Sequence, residues 1–287
     1  MVTRDWTIEH TQRLQVEGAE LEYEIFGTGE PVLLIHGALL GDSVIGPFQL
    51  YSPFMGNYQV ISYHRAGYGR SSIPDDVVTI EQSAENCYLL LKEIGVEKVH
   101  VVAHSYGGLI ALQLAMSFPE VVHSLSLLEA FVPRTEQKAL DYFEQAYTKG
   151  LEIYNSGDKT GARESILNSL AGPDIMSACD LNLPPGNMEV TTDVDAFFNS
   201  DIPAFNSWNF DVTNPDQERR PQMPVLTVLG LHSDAVCPGF REGQAFLSSW
   251  LPQAEVLGIP AIPHPLHIAS PQVVCKEVFD FLQRHPM

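Results

Sequence analysis

The sequence predicts an α/β protein built on a mainly parallel sheet with helices on both faces. Three observations carry that prediction. Short apolar runs alternate with longer stretches of helical period through most of the 287 residues, the pattern that βα units leave in a chain. One of those runs, residues 31–35, is apolar throughout, as a strand covered on both faces is. One region, from about residue 133 to 221, breaks the rhythm and holds no convincing buried strand, as an insertion between two sheet strands would.

The elements follow in order. Residues 13–17 and 20–26 alternate polar and apolar about Gly18, which reads as an antiparallel hairpin. Pro31-Val32-Leu33-Leu34-Ile35 is a strand buried on both faces, and residues 58–63, 98–103, 121–128, 224–229 and 254–259 repeat the theme. Between them, Ile80, Ala84, Cys87, Leu91 and Ile94 recur three and four apart, and Gly95 closes that helix. A second helix covers 106–118 and stops at Pro119; the last covers 271–284. Residues 136–149 and 162–170 are helical in pattern. A Pro-, Gly-, Asn- and Asp-rich passage then carries Phe197, Phe198, Phe205, Trp208 and Phe210. No internal repeat of 20 to 50 residues is visible.

Sixteen Lys plus Arg against 36 Asp plus Glu give a formal charge of −20. Such a surface repels phosphate backbones and anionic lipid, so neither nucleic acid nor a membrane is an expected partner. A small-molecule substrate is. The chain is monomer-sized, with a homodimer left open. Cys87, Cys179, Cys237 and Cys275 are scattered without a C-x-x-C pair and read as reduced structural thiols. Residues 1–6 lead into polar sequence with no apolar signal-peptide region, and no run reaches the ~18 apolar residues of a membrane span. The expected compartment is the cytoplasm.

The most informative residues are Val102-Ala103-His104-Ser105-Tyr106-Gly107-Gly108. A serine between a buried strand and a helix sits on a sharp turn, its hydroxyl projecting from the carboxyl end of the sheet. The next N–H, that of Tyr106, becomes an oxyanion donor at a helix N-terminus. Strand and helix pass in contact there, so small residues flank the serine two positions away: Gly107 on one side and Ala103, where glycine is usual, on the other. The bland alternative is a plain strand–turn–helix with an N-capping serine. His36-Gly37-Ala38 follows the 31–35 strand, and its glycine lets the Ala38 N–H converge on the same spot as the Tyr106 N–H. His36 itself reads as a structural hydrogen-bonder.

Together these residues resemble the α/β-hydrolase superfamily. The Arg65-Ala66-Gly67-Tyr68-Gly69-Arg70-Ser71-Ser72 loop, the Ala-x-Ser-x-Gly elbow, the insertion and a histidine before the final helix occur in its order. The resemblance implies an eight-stranded, mostly parallel sheet wrapped by helices. Residues 1–132 and 222–287 would form the core, with a helical cap, 133–221, inserted after strand 6. It implies Ser105 as nucleophile and Ala38 and Tyr106 as oxyanion donors.

A histidine must take and return the serine proton near neutral pH. Pro263-His264-Pro265-Leu266-His267 offers two, and relatives with His-x-x-His-x-x-x-Pro use the first, which falls on His264; His267 is the alternative. No third ligand of suitable spacing accompanies them for a metal. The orienting acid has two candidates. Leu127-Leu128-Glu129-Ala130 puts a carboxylate 24 positions after Ser105, at a strand end where it needs a partner. The other is Asp234, one place late in the Gly-x-x-Asp pattern that many members carry after strand 7, where Ser233 fills the usual slot. Glu129 is favoured.

His64, Arg65 and His100 read as structural. Trp208 is the aromatic expected to face substrate. The resulting expectation is a serine hydrolase, without metal or cofactor, that cleaves a small hydrophobic ester, lactone or thioester through an acyl-enzyme. The same scaffold supports Ser/His-dependent C–C hydrolysis, lyase chemistry or cofactor-free oxygenation, and a triad-retaining ligand receptor is a third reading.

Overall fold

Val32 and Leu34 point to one face of their strand, Leu33 and Ile35 to the other, and all four are buried. That single strand therefore needs cover on both sides, and the rest of the fold supplies it. A computed structural model describes residues 11–183, 191–260 and 264–287. The N-terminal residues 1–6 and Pro263, read above, lie outside the described residues.

The strands are β1 (Gln12–Val16), β2 (Ala19–Phe26), β3 (Glu30–Ile35), β4 (Tyr58–Tyr63), β5 (Val99–His104), β6 (Val122–Leu128), β7 (Val225–Gly230) and β8 (Glu255–Ile259). They form one sheet in the order β1-β2-β4-β3-β5-β6-β7-β8. The β1–β2 hairpin and the β2–β4 pair are antiparallel; every later pair is parallel. Each sequence-read strand is present, shifted by a residue or so at its ends.

One face is covered by α3 (Ile80–Glu93), α4 (Tyr106–Ser117) and α11 (Phe240–Trp250), packed on Leu33, Ile35, Val101 and Leu127. The opposite face carries α1 (Ile45–Gln49), α2 (Ser52–Met55) and α13 (Pro271–Arg284) against Val32, Leu34, Val102 and Val228. Helix α3 starts on a Thr79/Gln82 capping box and is followed by Gly95 at φ 74°, the start and stop signals its sequence shows. Helix α4 is buried from Tyr106 to Ala115, which fits a helix apolar on all sides.

Between β6 and β7 come α5 (Gln137–Asn155), α6 (Lys159–Ala171), α7 (Ile175–Asn182), α8 (Thr192–Ala196), a π-helical turn (Phe197–Asp201) and α9 (Ile202–Ser207). The polar, proline-containing stretch around residues 192–207 is thus helical. Pro203 follows directly on the π-helical turn, inside a helical run that continues from α8 into α9, so the N–H it lacks is one missing rung at the place where the ladder is already irregular. The short α10 (Ser233–Val236) follows β7, and α12 (Leu266–Ala269) precedes α13. No helix among the described residues is long and apolar enough to cross a membrane.

The chain leaves β3 toward β4 on one side and returns to pair β5 on the other. The crevice outside the carboxyl ends of β3 and β5 is the switch point where such sheets place ligands. His36-Gly37-Ala38 and Ser105 both emerge there.

Candidate active site

Ser105 joins β5 to α4 with φ 50° and ψ −118°, a left-handed conformation that costs a non-glycine residue on the order of 1–3 kcal/mol. Backbone bonds hold it there. Its N–H donates to Leu128 O at 3.0 Å, and its carbonyl accepts from Gly108 N and Phe131 N at 2.9 and 3.0 Å. The glycines after it are sterically required. A Cβ on Gly107 would stand 2.5 Å from Ile35 O, and one on Gly108 would stand 2.5 Å from Ala130 Cβ.

His264 meets this serine. Its Nε2 lies 3.1 Å from Ser105 Oγ, and its Nδ1 lies 2.8 Å from Glu129 Oε2. Nδ1 can only donate to a carboxylate, so Nε2 is the unprotonated nitrogen and accepts from the serine hydroxyl. The ring is also clamped between two others. His104 stacks on one side at 4.5 Å between centroids and Phe240 on the other at 4.5 Å. The two stacked rings fix the plane in which the imidazole faces Ser105.

Glu129 leaves the end of β6 at φ 47°, again left-handed. Its second oxygen, Oε1, accepts from Gly230 N at 2.7 Å and from Ser233 Oγ at 2.6 Å. Three donors therefore surround a buried carboxylate, the condition under which such a group is tolerated in an interior.

Asp234 is elsewhere. Its Oδ1 accepts from Arg241 N at 2.9 Å, and its Oδ2 pairs with Arg241 Nε at 3.2 Å, so it ends a turn and does not orient the imidazole. His267 is fully buried, 4.2 Å from the ring of His104, and neither of its ring nitrogens makes a hydrogen bond to Ser105. Burial, with His264 beside it, pushes its pKa down to about 3. His104 is also held well below the usual range, by burial first and then by His267 and His264. Neither ring nitrogen of His104 meets a hydrogen-bond partner among the described residues.

The expectation that Trp208 faces substrate is corrected. Its Nε1 donates to Gln113 Oε1 at 2.9 Å, and its ring stacks on Phe210 at 4.5 Å within the core that includes Trp250. Gln113 lies eight residues beyond Ser105, about 12 Å down the axis of α4. An indole with a buried N–H needs an acceptor, and the one it found ties α9 to the core.

Ala38 sits on the loop after β3. Its N–H meets no acceptor among the described residues, and Tyr106 N–H, the first of α4, has none within the helix. His36 is structural: Nδ1 donates to Gly37 O at 2.8 Å, and Nε2 accepts from Arg65 N at 3.0 Å. His100 bonds Ser124 Oγ and Glu30 Oε2, and burial pushes its pKa down to about 4. His64 lies between Glu22 and Asp42, at 2.9 and 3.1 Å. Among the described residues no group of three or more His, Cys, Asp or Glu side chains is placed to hold a metal ion.

Three residues of this arrangement escape the sequence reading: Ser233 on Glu129, and the stacked His104 and Phe240. Only Ser233 leaves a signal, as the residue in the Gly-x-x-Asp slot that the resemblance singles out.

The model of the alpha/beta hydrolase fold family matches residues 30–152. That span holds the Ala38 loop, Ser105 and Glu129, while His264 lies beyond it. A protein of Azorhizobium caulinodans named as a carbamate hydrolase, RutD, is 36% identical over 113 residues, 39% of this chain and 42% of that one. The chain thus spans about two fifths of that curated relative's length. Among solved structures, MGS-M2, an alpha/beta hydrolase enzyme from a Medee basin deep-sea metagenome library, superposes with a TM-score of 0.75. It shares 20% identity, over 96% of this chain and 98% of that one. Est816, described as an N-acyl homoserine lactone degrading enzyme, gives 0.67 at 20% identity, over 94% of this chain and all of that one. At these identities the structural likeness speaks for the fold.

Proposed function

We propose that the chain, which has the alpha/beta hydrolase fold and matches that family's model over residues 30–152, is a serine hydrolase. Its substrate on this reading is a small hydrophobic ester, lactone or thioester. The observation that carries the reading is the continuous path from Ser105 Oγ through both nitrogens of His264 to Glu129. The name of the Azorhizobium relative, a carbamate hydrolase, belongs to the same class of acyl chemistry.

In the proposed reaction Ser105 Oγ attacks the carbonyl carbon while His264 Nε2 takes the hydroxyl proton. Glu129 fixes the tautomer and stabilises the imidazolium that forms. The carbonyl oxygen becomes an oxyanion between the Ala38 and Tyr106 N–H groups, a kind of contact worth about 3 kcal/mol per donor. When the tetrahedral adduct collapses, the carbon–heteroatom bond breaks and the leaving group takes the proton from His264. Water then attacks the acyl-enzyme, giving its proton to His264, and the acid departs as Ser105 regains its hydrogen.

Residues 133–221 act as a cap in this reading. The helices between β6 and β7 bring Phe143 and Phe205 against Phe131, two residues beyond Glu129, with the Arg134 guanidinium over Phe131 and Phe143. The test is direct. Ser105→Ala should abolish hydrolysis of a p-nitrophenyl short-chain ester and labelling by a fluorophosphonate, with near-UV circular dichroism unchanged. Full hydrolysis by the folded variant would remove acyl transfer from consideration. Activity lost in His264→Ala but kept in Ser105→Ala would favour proton-transfer chemistry instead.

A further inference from the structure

The loop after β3 is held by carboxylates that arrive more than 130 residues later. Asp193 Oδ2 accepts from Gly41 N at 2.8 Å, and its Oδ1 from Gly69 N at 3.0 Å. Asp201, also buried, receives both arms of Arg65, NH1 to Oδ1 at 2.7 Å and NH2 to Oδ2 at 2.9 Å. The Tyr68 hydroxyl donates to the same Oδ2 at 2.5 Å. Arg65 uses NH2 a second time, donating to the Gly37 carbonyl at 3.0 Å, and its guanidinium lies over the Tyr106 ring at 4.7 Å.

A buried ion pair stabilises a fold little better than well-packed apolar residues would, so its position asks for another explanation. Gly37 C=O and Ala38 N–H belong to one peptide unit. That unit is planar and trans, and its two polar bonds point in opposite directions. Whatever fixes the carbonyl oxygen therefore aims the N–H. Gly37 O is fixed twice, by Arg65 NH2 and by His36 Nδ1 at 2.8 Å. The next residue, Leu39, has φ 70°, a conformation that costs a leucine about 1–2 kcal/mol. Its N–H donates to the Tyr68 hydroxyl at 3.2 Å, and Tyr68 is the residue that donates to Asp201.

We propose that Asp201 is a positioning residue that, through Arg65 and Tyr68, aims and polarises the Ala38 N–H toward the oxyanion. A guanidinium on the carbonyl end of a peptide draws density from its amide and makes that N–H a stronger donor. The segment that brings Asp201 is thereby wired to the chemistry: an oxyanion hole built on β3 is complete only when the helices between β6 and β7 are docked. The inference rests on the acyl-transfer reading of Ser105.

Asp201→Asn keeps the shape and removes the charge. We expect it to lower kcat for p-nitrophenyl acetate by about 10- to 100-fold, short of what removal of a whole oxyanion donor costs. KM should stay within about twofold, because ground-state binding is untouched. Inhibition by a trifluoromethyl ketone, whose adduct carries an oxyanion, should weaken by a similar factor. Asp195→Asn, on the neighbouring α8 and paired among the described residues with Lys159 and Tyr154, should leave both quantities unchanged. Ser105→Ala is run alongside. If it retains turnover, the acyl-transfer reading falls, and Asp201 with it. If it is inactive while folded Asp201→Asn keeps its kcat and its affinity for the ketone, the positioning role is overturned and the reading of Ser105 stands. Should Asp201→Asn fail to fold, Tyr68→Phe decides. Loss of its one hydroxyl should lower kcat about three- to tenfold with KM unchanged, and an unchanged kcat would overturn the proposal.

Discussion

The Ser233 hydroxyl donates to Glu129 Oε1 at 2.6 Å, so a residue just after β7 supports the glutamate that leaves the end of β6. The two residues are neighbours in space although they lie 104 residues apart. Glu129→Gln should lower kcat by on the order of 10³- to 10⁴-fold, since an amide presented to Nδ1 favours the wrong tautomer. Ser233→Ala leaves Oε1 with the Gly230 N–H alone and should cost about 1 kcal/mol of stability and less than tenfold in kcat. Steady-state kinetics and denaturant unfolding of the two variants would separate these roles. Equal losses of activity would show that Ser233 does more than hold the carboxylate.

Gly107 makes a sharper steric prediction. An alanine there must clear Ile35 O at 2.5 Å and His36 O at 2.6 Å, and both are backbone atoms of the strand end that carries the Ala38 loop. Nothing flexible can yield, so the loop itself must move. Gly107→Ala should destabilise the fold by about 1–3 kcal/mol and lower kcat well beyond what that loss explains. A variant of normal activity would mean that the Ala38 loop does not require this approach of α4 to β3.

His267 and His104 share an interior with His264, and their neutrality has a cost in acid. The folded-state pKa of His267 is pushed down to about 3 by burial and by His264, against an ordinary value near 6.5. Between those pH values the unfolded chain binds a proton that the native one refuses, so the native state loses stability as pH falls from about 6.5 toward 3. His267→Phe removes that contribution. Denaturant midpoints measured from pH 7 to 4 should therefore fall less steeply for the variant than for the parent. Parallel curves would show that His267 does not titrate as its burial implies.

The sheet is legible in the sequence because its signals are local. A strand covered on both faces is apolar along its length, so residues 31–35 announce themselves without any partner. The strand–turn–helix geometry around Ser105 is legible for a similar reason: contact between strand and helix demands small residues at fixed spacing. Glu129 can be found because a carboxylate ending an apolar run is out of place without a donor. Trp208 misleads because an exposed-looking aromatic in polar sequence gives no hint of Gln113, 95 residues earlier. Asp193 and Asp201 stay hidden for the converse reason. In a Pro-, Asn- and Asp-rich stretch they look solvated, and only the folded chain shows Arg65 and the Gly41 and Gly69 amides waiting for them. Pairings that span more than a hundred residues leave no periodicity to read.

His64 gives the opposite pH dependence to His267. It bridges β2 and the loop after β3, with Nδ1 on Glu22 and Nε2 on Asp42. Burial opposes its charge, but the hydrogen bonds to Asp42 and Glu22 prevail and hold its pKa up to about 10. The group is therefore protonated in the native state well above its ordinary 6.5. Its contribution to stability is fully present below about 6.5 and fades as pH rises through about 10. His64→Asn should be destabilised relative to the parent at pH 6.5, and the gap should close as the measurement moves to pH 10. The same window separates charge from packing, because poorer packing around the smaller side chain would leave a gap that does not change with pH. A constant difference across that range would mean that Glu22 and Asp42 hold His64 as a neutral ring.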